Sequence, residues 1–358
     1  MLLKDAYVKM LSYKGGINMD YHEIKSLIEK FPQVNLVSGQ KTPIDYLKNL
    51  SRELGSEIYV KRDDLTGVAI GGNKVRKLEF LLGDALSKGC DTIITTGAIH
   101  SNHALETAAA AKKLGLDVIL VLRGEKTAIP KGNYLLDKLI GADVRIFNVS
   151  TGKETIPIME KIAQELKNNG KKPYIIPTGG ATPIGTLGYI KCALEIVEQE
   201  KELGLSFDYI VHATSSGGTQ AGLTLGFHLI KPTTKVLGIG VGDPRTELIE
   251  SVWELINSTA KLLGVKHSLT REYIENHTIS GYGFGGYGKI TKEVVDTIKY
   301  VGSLEGLILD PIYTGKAMYG LIDLLKKKVI PKGSTVLFIH TGGMTSIFQY
   351  DHIIREFL

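Results

Sequence analysis

Short apolar runs, separated by longer amphipathic stretches, constrain the fold of this chain more than any other feature. Seven runs stand out, at residues 92–96, 117–122, 144–149, 174–177, 209–213, 235–241 and 335–339. Most are apolar throughout, which is typical of parallel strands covered on both faces. Helical patterns such as residues 105–114 and 158–167 lie between them. The alternation predicts an α/β fold with mostly parallel sheets flanked by helices.

Length and composition indicate a folded protein with two domains. The chain has 358 residues, and hydrophobic cores tend to divide beyond roughly 250–300 residues. Apolar residues make up 43% and charged residues 23%, proportions that are ordinary for a soluble globular protein and exclude disorder. The cleft between two domains is then the expected place for a ligand.

Charge and cysteine content bear on partners and location. The net charge of +5 is small for this length, and we interpret the single basic run at residues 326–328 as a solvated helix end rather than a nucleic-acid patch. Cys90 and Cys192 make no disulfide framework, which predicts a reducing compartment. No stretch approaches the ~18 consecutive apolar residues of a membrane span, and the N-terminus lacks a signal-peptide pattern. We therefore expect a cytoplasmic protein that binds neither membranes nor nucleic acids.

Several predicted strands run directly into loops that contain glycine. Four of these loops are Thr96-Gly97-Ala98, Thr178-Gly179-Gly180, Ser216-Gly217-Gly218 and Thr341-Gly342-Gly343. Open parallel sheets bind ligands outside the carboxyl ends of their strands. Chemistry is therefore expected at these four loops.

A lysine follows a glycine pair in the segment Gly71-Gly72-Asn73-Lys74. The glycines permit a sharp turn and a close backbone approach, and the helical pattern from Lys74 onward puts this lysine in the first turn of a helix. The positive end of a helix dipole disfavours an ammonium there, and imine formation needs an uncharged amine. An exposed lysine at a basic helix start accounts for the same local pattern.

Two further segments have the composition of anion-binding sites. In Ser101-Asn102-His103, a hydroxyl and backbone N–H groups at a helix start suit a substrate carboxylate, although a plain helix cap is a common alternative. His100 and His103 lack a third ligand and a metalloprotease pattern, so no metal is expected. In residues 216–219, hydroxyls and glycines between a strand and a helix favour a phosphate site made of backbone N–H groups as strongly as a purely structural turn.

Two tyrosines, Tyr287 and Tyr313, lie in glycine-bearing segments. A tyrosine whose neighbours lower its pKa from ~10 can act as a general acid or base, whereas a buried aromatic with a satisfied hydroxyl is the simpler interpretation of each one alone. Gly281, Gly283 and Gly286 have the spacing of a dinucleotide fingerprint. No strand is predicted before them and no helix directly after them, so a dinucleotide site is not expected.

The order and spacing of these motifs resemble the fold-type II, tryptophan-synthase-beta-like pyridoxal-phosphate enzymes, and within them the D-cysteine desulfhydrase and aminocyclopropane-carboxylate deaminase family. The resemblance runs from about residue 31 to residue 343, through residues 61–67, 72–74, 101–103, 216–222, 286–288, 313–316 and 340–343. It implies a larger cofactor-binding domain made of residues 1–74 and 186–358, and a smaller inserted domain made of residues 75–185. It also implies a homodimer that acts on a small amino acid.

The resemblance implies a role for each matching residue. Lys74 would hold pyridoxal 5′-phosphate as a Schiff base and move protons once the substrate has displaced it. The other implied cofactor contacts are Asn102 at the phenolic oxygen, Thr341 at the pyridine nitrogen, and Ser216, Gly217, Gly218 and Thr219 at the phosphate. Ser101, with the backbone of Asn102 and His103, would hold the substrate carboxylate. Tyr287 and Tyr313 would face the substrate and join Lys74 and Ser101 as catalytic residues.

Three positions depart from the family pattern and bear on the substrate. Thr314 stands where the deaminase proper has an acidic residue, His100 stands where glutamine is expected, and many relatives carry arginine at the position of Leu105. A carboxylate near the ring nitrogen makes the ring a strong electron sink, whereas a hydroxyl leaves it neutral and weaker. Opening a cyclopropane needs more carbanion stabilisation than expelling a thiolate. We therefore expect a β-eliminating lyase that converts D-cysteine to pyruvate, ammonia and hydrogen sulfide, with aminocyclopropane-carboxylate, L-cysteine and cysteate as the alternative substrates.

Overall fold

Ten strands are found among the residues that the computed structural model describes, which are 19–39, 41–242 and 244–358. They are β1 Ile44–Tyr46, β2 Glu57–Lys61, β3 Thr92–Ala98, β4 Asp117–Arg123, β5 Asp143–Phe147, β6 Pro173–Ile176, β7 Tyr209–Thr214, β8 Lys235–Gly240, β9 Thr278–Ile279 and β10 Thr335–Ile339. Six form one sheet in the order β1-β2-β10-β7-β8-β9, and four form a second in the order β5-β4-β3-β6. Only β1 runs antiparallel to its neighbour among these pairs. The predicted α/β fold with mostly parallel sheets is confirmed.

Helices connect and cover the strands. In the described part of the chain they are α1 Tyr21–Glu29, α2 Lys48–Leu54, α3 Lys74–Ser87, α4 Asn102–Lys113, α5 Gly132–Leu139, α6 Ile156–Asn168, α7 Pro183–Leu203, α8 Gly218–Ile230, α9 Arg245–Leu263, α10 Arg271–His277, α11 Lys292–Glu305, α12 Thr314–Lys326, α13 Thr345–Gln349 and α14 Asp351–Arg355. Single 3-10 turns occur at Asp63–Leu65, Lys153–Thr155 and Thr178–Gly180. None of the described helices is both long enough and apolar enough to cross a bilayer.

The seven strands predicted from apolar runs are all present, with ends shifted by no more than two residues. β7 is buried along its whole length and β3 along all but its last residue, as expected for strands covered on both faces. Three strands, β1, β2 and β9, were not predicted. β9 directly precedes the glycines at 281, 283 and 286, so the expectation that no strand stands before them is wrong. The next helix begins only at Lys292, and the dinucleotide fingerprint is still incomplete.

Each sheet has its own hydrophobic core. The strands of the second sheet all fall within residues 92–176, and their core includes Ile93, Leu120 and Ile176. The core of the six-stranded sheet includes Val211 and Phe338. The division at residues 75 and 185 stays a prediction.

A buried ion network fixes the first turn of α3, the helix that begins at Lys74. Arg76, which is 2% exposed, donates from Nε and Nη2 to Asp63 at 2.8 and 2.7 Å and from Nη1 to Glu195 at 2.7 Å. Lys61 pairs with the same Glu195. Asp63 follows β2 and Glu195 lies on α7. The network therefore joins α3 to both of these elements at Arg76, two residues after Lys74.

Candidate active site

The four glycine loops meet in one cleft. Gly72 pairs with Gly342 in an isolated antiparallel bridge, which joins the lysine segment to the loop after β10. A Cβ atom on Gly343 would lie 2.9 Å from Nδ2 of Asn102, and one on Gly179 would collide with Oγ of Ser216. Glycine is required at positions 179 and 343 because both residues have positive φ angles, of 69° and 97°, in addition to these close approaches.

Lys74 lies inside this cleft as the first residue of α3. Its Nζ donates to Oδ1 of Asn73 at 2.8 Å, and its Cε would be 3.9 Å from a Cβ on Gly179. Burial lowers the pKa of Lys74, while the negative charges of Glu106 and Asp310 oppose that shift. The prediction that this lysine occupies a first helical turn is confirmed, and the alternative of an exposed lysine is wrong.

Asn73 connects three parts of the cleft and was not identified from the sequence. Its backbone N–H donates to the carbonyl of Thr341 at 3.1 Å, and its Nδ2 donates to Oγ1 of Thr219 at 3.0 Å. With the bond from Lys74, these contacts join the lysine, the segment at residues 216–219 and the loop after β10.

The segment at residues 216–219 has the geometry of an anion site. Gly217 adopts φ 81° and caps α8, which begins at Gly218, so the first backbone N–H groups of that helix lack helical partners. Nζ of Lys77 would lie 2.8 Å from a Cβ on Gly218 and donates to the carbonyl of Gly179 at 3.1 Å.

Lys77 is a second buried lysine, 1% exposed, that sequence reasoning missed. Burial, and then the positive charge of Lys74, lower its pKa well below the ordinary value. An anion in the cleft would relieve both effects. The available signal was its spacing, since residues three apart share one face of a helix.

The Ser-Asn-His segment begins α4. Ser101 is its cap, and Oγ accepts from the backbone N–H of Ala104 at 3.2 Å. The imidazole of His103 is buried, with Nε2 2.9 Å from Oγ1 of Thr95. Oδ1 of Asn102 accepts from Nδ2 of Asn133 at 2.7 Å.

The two tyrosines contact each other. The Tyr313 hydroxyl donates to that of Tyr287 at 2.9 Å, with ring centroids 5.9 Å apart and planes inclined at 66°. Tyr287 is 41% exposed. Lys316, in the first turn of α12, donates to the carbonyls of Gly283 and Gly286 at 2.8 and 2.9 Å and so holds the loop that carries Tyr287.

Two buried carboxyl groups at the cleft were also missed. Glu106 accepts from the backbone N–H of Val75 at 3.0 Å, and its Oε1 has no partner among the described residues. Burial raises the pKa of Glu106 to about 7 against the opposing charge of Lys74. Asp310 accepts from the backbone N–H groups of residues 312, 313 and 314, and it is therefore committed to the turn before α12.

The unusual residues beside the cleft are uncharged. The His100 ring lies 6.1 Å from that of Tyr350, and burial lowers the pKa of His100 to about 4, so its imidazole is neutral near pH 7. Leu105 is buried. Among the residues that the structure describes, no group of three or more histidine, cysteine, aspartate and glutamate side chains could hold a metal ion.

A family model described as pyridoxal-phosphate dependent enzyme matches residues 37–342. The chain belongs to this family. A Pyrococcus abyssi protein provisionally named 1-aminocyclopropane-1-carboxylate deaminase is 54% identical over 94% of this chain and 99% of that protein. The D-cysteine desulfhydrase of Salmonella typhi is 40% identical over 90% of this chain and 97% of that protein. A solved structure of an ACC deaminase homologue has a TM-score of 0.87 and 50% identity, and it covers 94% of this chain and 99% of its own.

These likenesses identify a pyridoxal-phosphate-dependent lyase of the deaminase and desulfhydrase group with the fold-type II architecture. The cleft fits the cofactor on chemical grounds. A largely buried amine stands at Lys74, and the amine of Lys77 lies so close to Gly218 that a Cβ atom there would clash with it. The free backbone N–H groups at the start of α8 lie beside it. An aldehyde needs such an amine and a phosphate needs such a cradle.

Proposed function

We propose that this enzyme eliminates the β-thiol of D-cysteine as hydrogen sulfide, and that addition of one water then gives pyruvate and ammonia. The observation that carries the proposal is the environment of Thr314. Its hydroxyl donates to Oδ1 of Asp310 at 2.7 Å and accepts from the backbone N–H of the same residue at 2.7 Å. Because this hydroxyl is neutral, Thr314 gives the cofactor ring less support as an electron sink than an acidic residue at position 314 would. A weaker electron sink suffices to expel a thiolate.

Different residues of the cleft would bind different parts of the cofactor. Lys74 would bind its aldehyde carbon, and Asn102 and Thr341 would contact its phenolic oxygen and ring nitrogen. Ser216, Gly217, Gly218 and Thr219, together with Lys77, would hold its phosphate. When bound, pyridoxal phosphate supplies an electron sink for the carbanion formed at the substrate α-carbon.

The chain's own groups would position the substrate and move its protons. Ser101 and the backbone N–H groups of Asn102 and His103 stand at the start of α4, where a carboxylate is stabilised by the helix dipole. The depressed pKa of Lys74 favours the neutral amine that takes up the α-proton. The hydroxyl pair of Tyr313 and Tyr287 is suited to pass a proton to the departing sulfur.

Aminocyclopropane-carboxylate is the second candidate substrate, favoured by the provisional name of the relative that is 54% identical. L-cysteine and cysteate are further alternatives within the same reaction class. All of these compounds present an amino group and a carboxylate on one carbon. Cysteine and cysteate lose an α-proton and a group from the β-carbon, whereas aminocyclopropane-carboxylate has no α-hydrogen and must break a ring carbon–carbon bond.

A panel of substrates separates these candidates. Product release from D-cysteine, L-cysteine, cysteate, D-serine and aminocyclopropane-carboxylate is measured with the purified holoenzyme, as pyruvate or, for the last compound, 2-oxobutyrate. We expect the highest kcat/KM with D-cysteine, accompanied by sulfide. A higher value with aminocyclopropane-carboxylate would replace the proposal by the second candidate, and inactivity with all five would overturn the assignment to elimination.

We also propose that the enzyme is a cytoplasmic homodimer. The helices α5 and α13 pack against each other and leave Leu139 and Phe348 exposed at 73% and 69%, a pair of apolar side chains that a second copy would cover. Both cysteines are free, in keeping with a reducing compartment. Sedimentation equilibrium is expected to give twice the chain mass for the wild type and a lower average for Phe348→Glu. A wild-type monomer would contradict the dimer.

A further inference from the structure

Asn133 forms a buried polar relay between three parts of the molecule. It is the second residue of α5 and is fully buried. Its Nδ2 donates to the carbonyl of His100 at 2.9 Å and to Oδ1 of Asn102 at 2.7 Å. Its Oδ1 accepts from the hydroxyl of Thr345 on α13. Both N–H groups and the oxygen of the Asn133 amide are therefore hydrogen-bonded.

The carbonyl of His100 fixes the orientation of the Asn133 and Asn102 amides. A backbone carbonyl only accepts, so the carbonyl of His100 requires the nitrogen of the Asn133 amide to face it. The second N–H of that nitrogen then requires an oxygen from Asn102. The amide of Asn102 therefore turns its oxygen toward Asn133 and its nitrogen the other way.

The nitrogen of Asn102 points to the loop after β10. It would lie 2.9 Å from a Cβ on Gly343, and this glycine is two residues after Thr341. The side that Asn102 presents there is a pair of N–H donors. A carbonyl oxygen in the same place would repel an ionised oxygen of a ligand.

We propose that Asn133 is a positioning residue that holds the Asn102 amide with its donors toward the phenolic oxygen of the cofactor. This inference rests on the proposed role of Lys74 and Asn102 in holding pyridoxal phosphate. Asn133 touches neither cofactor nor substrate and acts only through Asn102. Through its bonds to Thr345 and Asn102, Asn133 also holds α13 and the start of α4 in a fixed arrangement.

The absorption bands of the bound cofactor test the proposal without measuring activity. A donor at the phenolic oxygen favours the ionised form, which absorbs at longer wavelength than the form with a protonated oxygen. In the holoenzyme of Asn133→Leu, the ratio of the long-wavelength to the short-wavelength band should fall about tenfold or more, because a charge-assisted bond is lost. Asn102→Leu should give a change of the same size, and the double variant no more than either alone.

Thr345→Val is the matched control. It removes the other hydrogen bond of Asn133 but leaves the His100 carbonyl that fixes its orientation, so the band ratio should stay near that of the wild type. If Asn133→Leu does not fold by circular dichroism, Asn133→Ser takes its place with the same expectation, since its shorter side chain cannot reach both acceptors.

Each outcome bears on one claim. An unchanged band ratio in the Asn133 variant, beside a changed ratio in Asn102→Leu, would overturn the positioning role and leave the proposed function intact. Additive effects in the double variant would also overturn it, because the two residues would then act separately. A wild-type protein that takes up no cofactor would instead overturn the proposed function.

Discussion

Replacing Glu106 by glutamine removes one negative charge beside Lys74 and keeps the length and shape of the side chain. Glu106 lies on α4 and is buried, with Oε2 bonded to the backbone N–H of Val75 at 3.0 Å. A glutamine oxygen can accept the same bond. The variant therefore isolates the charge of Glu106 from its contact with the first turn of α3.

The expected effect follows from the influences on Lys74. Burial lowers the pKa of this lysine, and the charge of Glu106 is the larger of the two that oppose burial, ahead of Asp310. An opposite charge close to a buried group shifts its pKa by about 1–3 units. We expect the low end of this range. The pKa of Lys74 should fall by about 1 unit, which corresponds to about 1.4 kcal/mol.

Competitive acetylation of the cofactor-free protein, followed by mass spectrometry of the peptide with Lys74, measures this pKa directly. Lys316 is an internal reference, since its pKa of about 8 is set by burial and Asp310 rather than by Glu106. Asp137→Asn is the matched control, because Asp137 is a buried carboxyl whose raised pKa has burial as its only cause. A Lys74 pKa that is unchanged in Glu106→Gln, or lowered equally in Asp137→Asn, would refute the reasoning.

Three further variants have defined expectations. Lys77→Met should weaken cofactor binding about tenfold or more, because a charge-assisted bond to phosphate is worth roughly 1.5–3 kcal/mol. The Kd is measured by absorbance titration, and an unchanged value would show that Lys77 does not hold the phosphate. Tyr287→Phe should lower kcat about 10²–10⁴-fold with the cofactor spectrum unaltered, and wild-type turnover would exclude it from proton transfer. Arg76→Met should lower the free energy of unfolding by about 3–5 kcal/mol in urea, since Asp63 and Glu195 lose their buried partner. Burial raises the pKa values of these two carboxyl groups, but Arg76 outweighs burial and holds them low. The stability they contribute is complete above their unfolded pKa values of about 4 and is lost as the pH falls through the folded ones, so acid should cost the variant less stability than the wild type.

The sequence was most informative where a local pattern decides the structure. Continuous apolar runs predicted seven of the ten described strands, because a strand that is covered on both faces is apolar throughout. The helix start at Lys74 and the cap at Ser101 were likewise predicted, since glycine pairs and hydroxyl caps act within a few residues. β1 and β9 have three and two residues, too few to carry a periodicity.

Four further residues of the cleft and its surroundings could not be predicted in this way. Asn73, Lys77, Glu106 and Asn133 acquire their roles from contacts with residues distant in the chain. The Asn133 relay, for example, needs α5 to pack beside both the start of α4 and α13. An asparagine at that place in the sequence predicts only a polar position near a helix start.

Reduction of the holoenzyme with borohydride, followed by proteolysis and mass spectrometry, tests the central claim most directly. Borohydride fixes the cofactor covalently to whichever lysine forms the imine. Among the described residues, three lysines with lowered pKa values lie at or near the cleft, namely Lys74, Lys77 and Lys316. We expect the pyridoxyl group on Lys74 alone. Its recovery on Lys77 or Lys316, with Lys74 unmodified, would contradict the account.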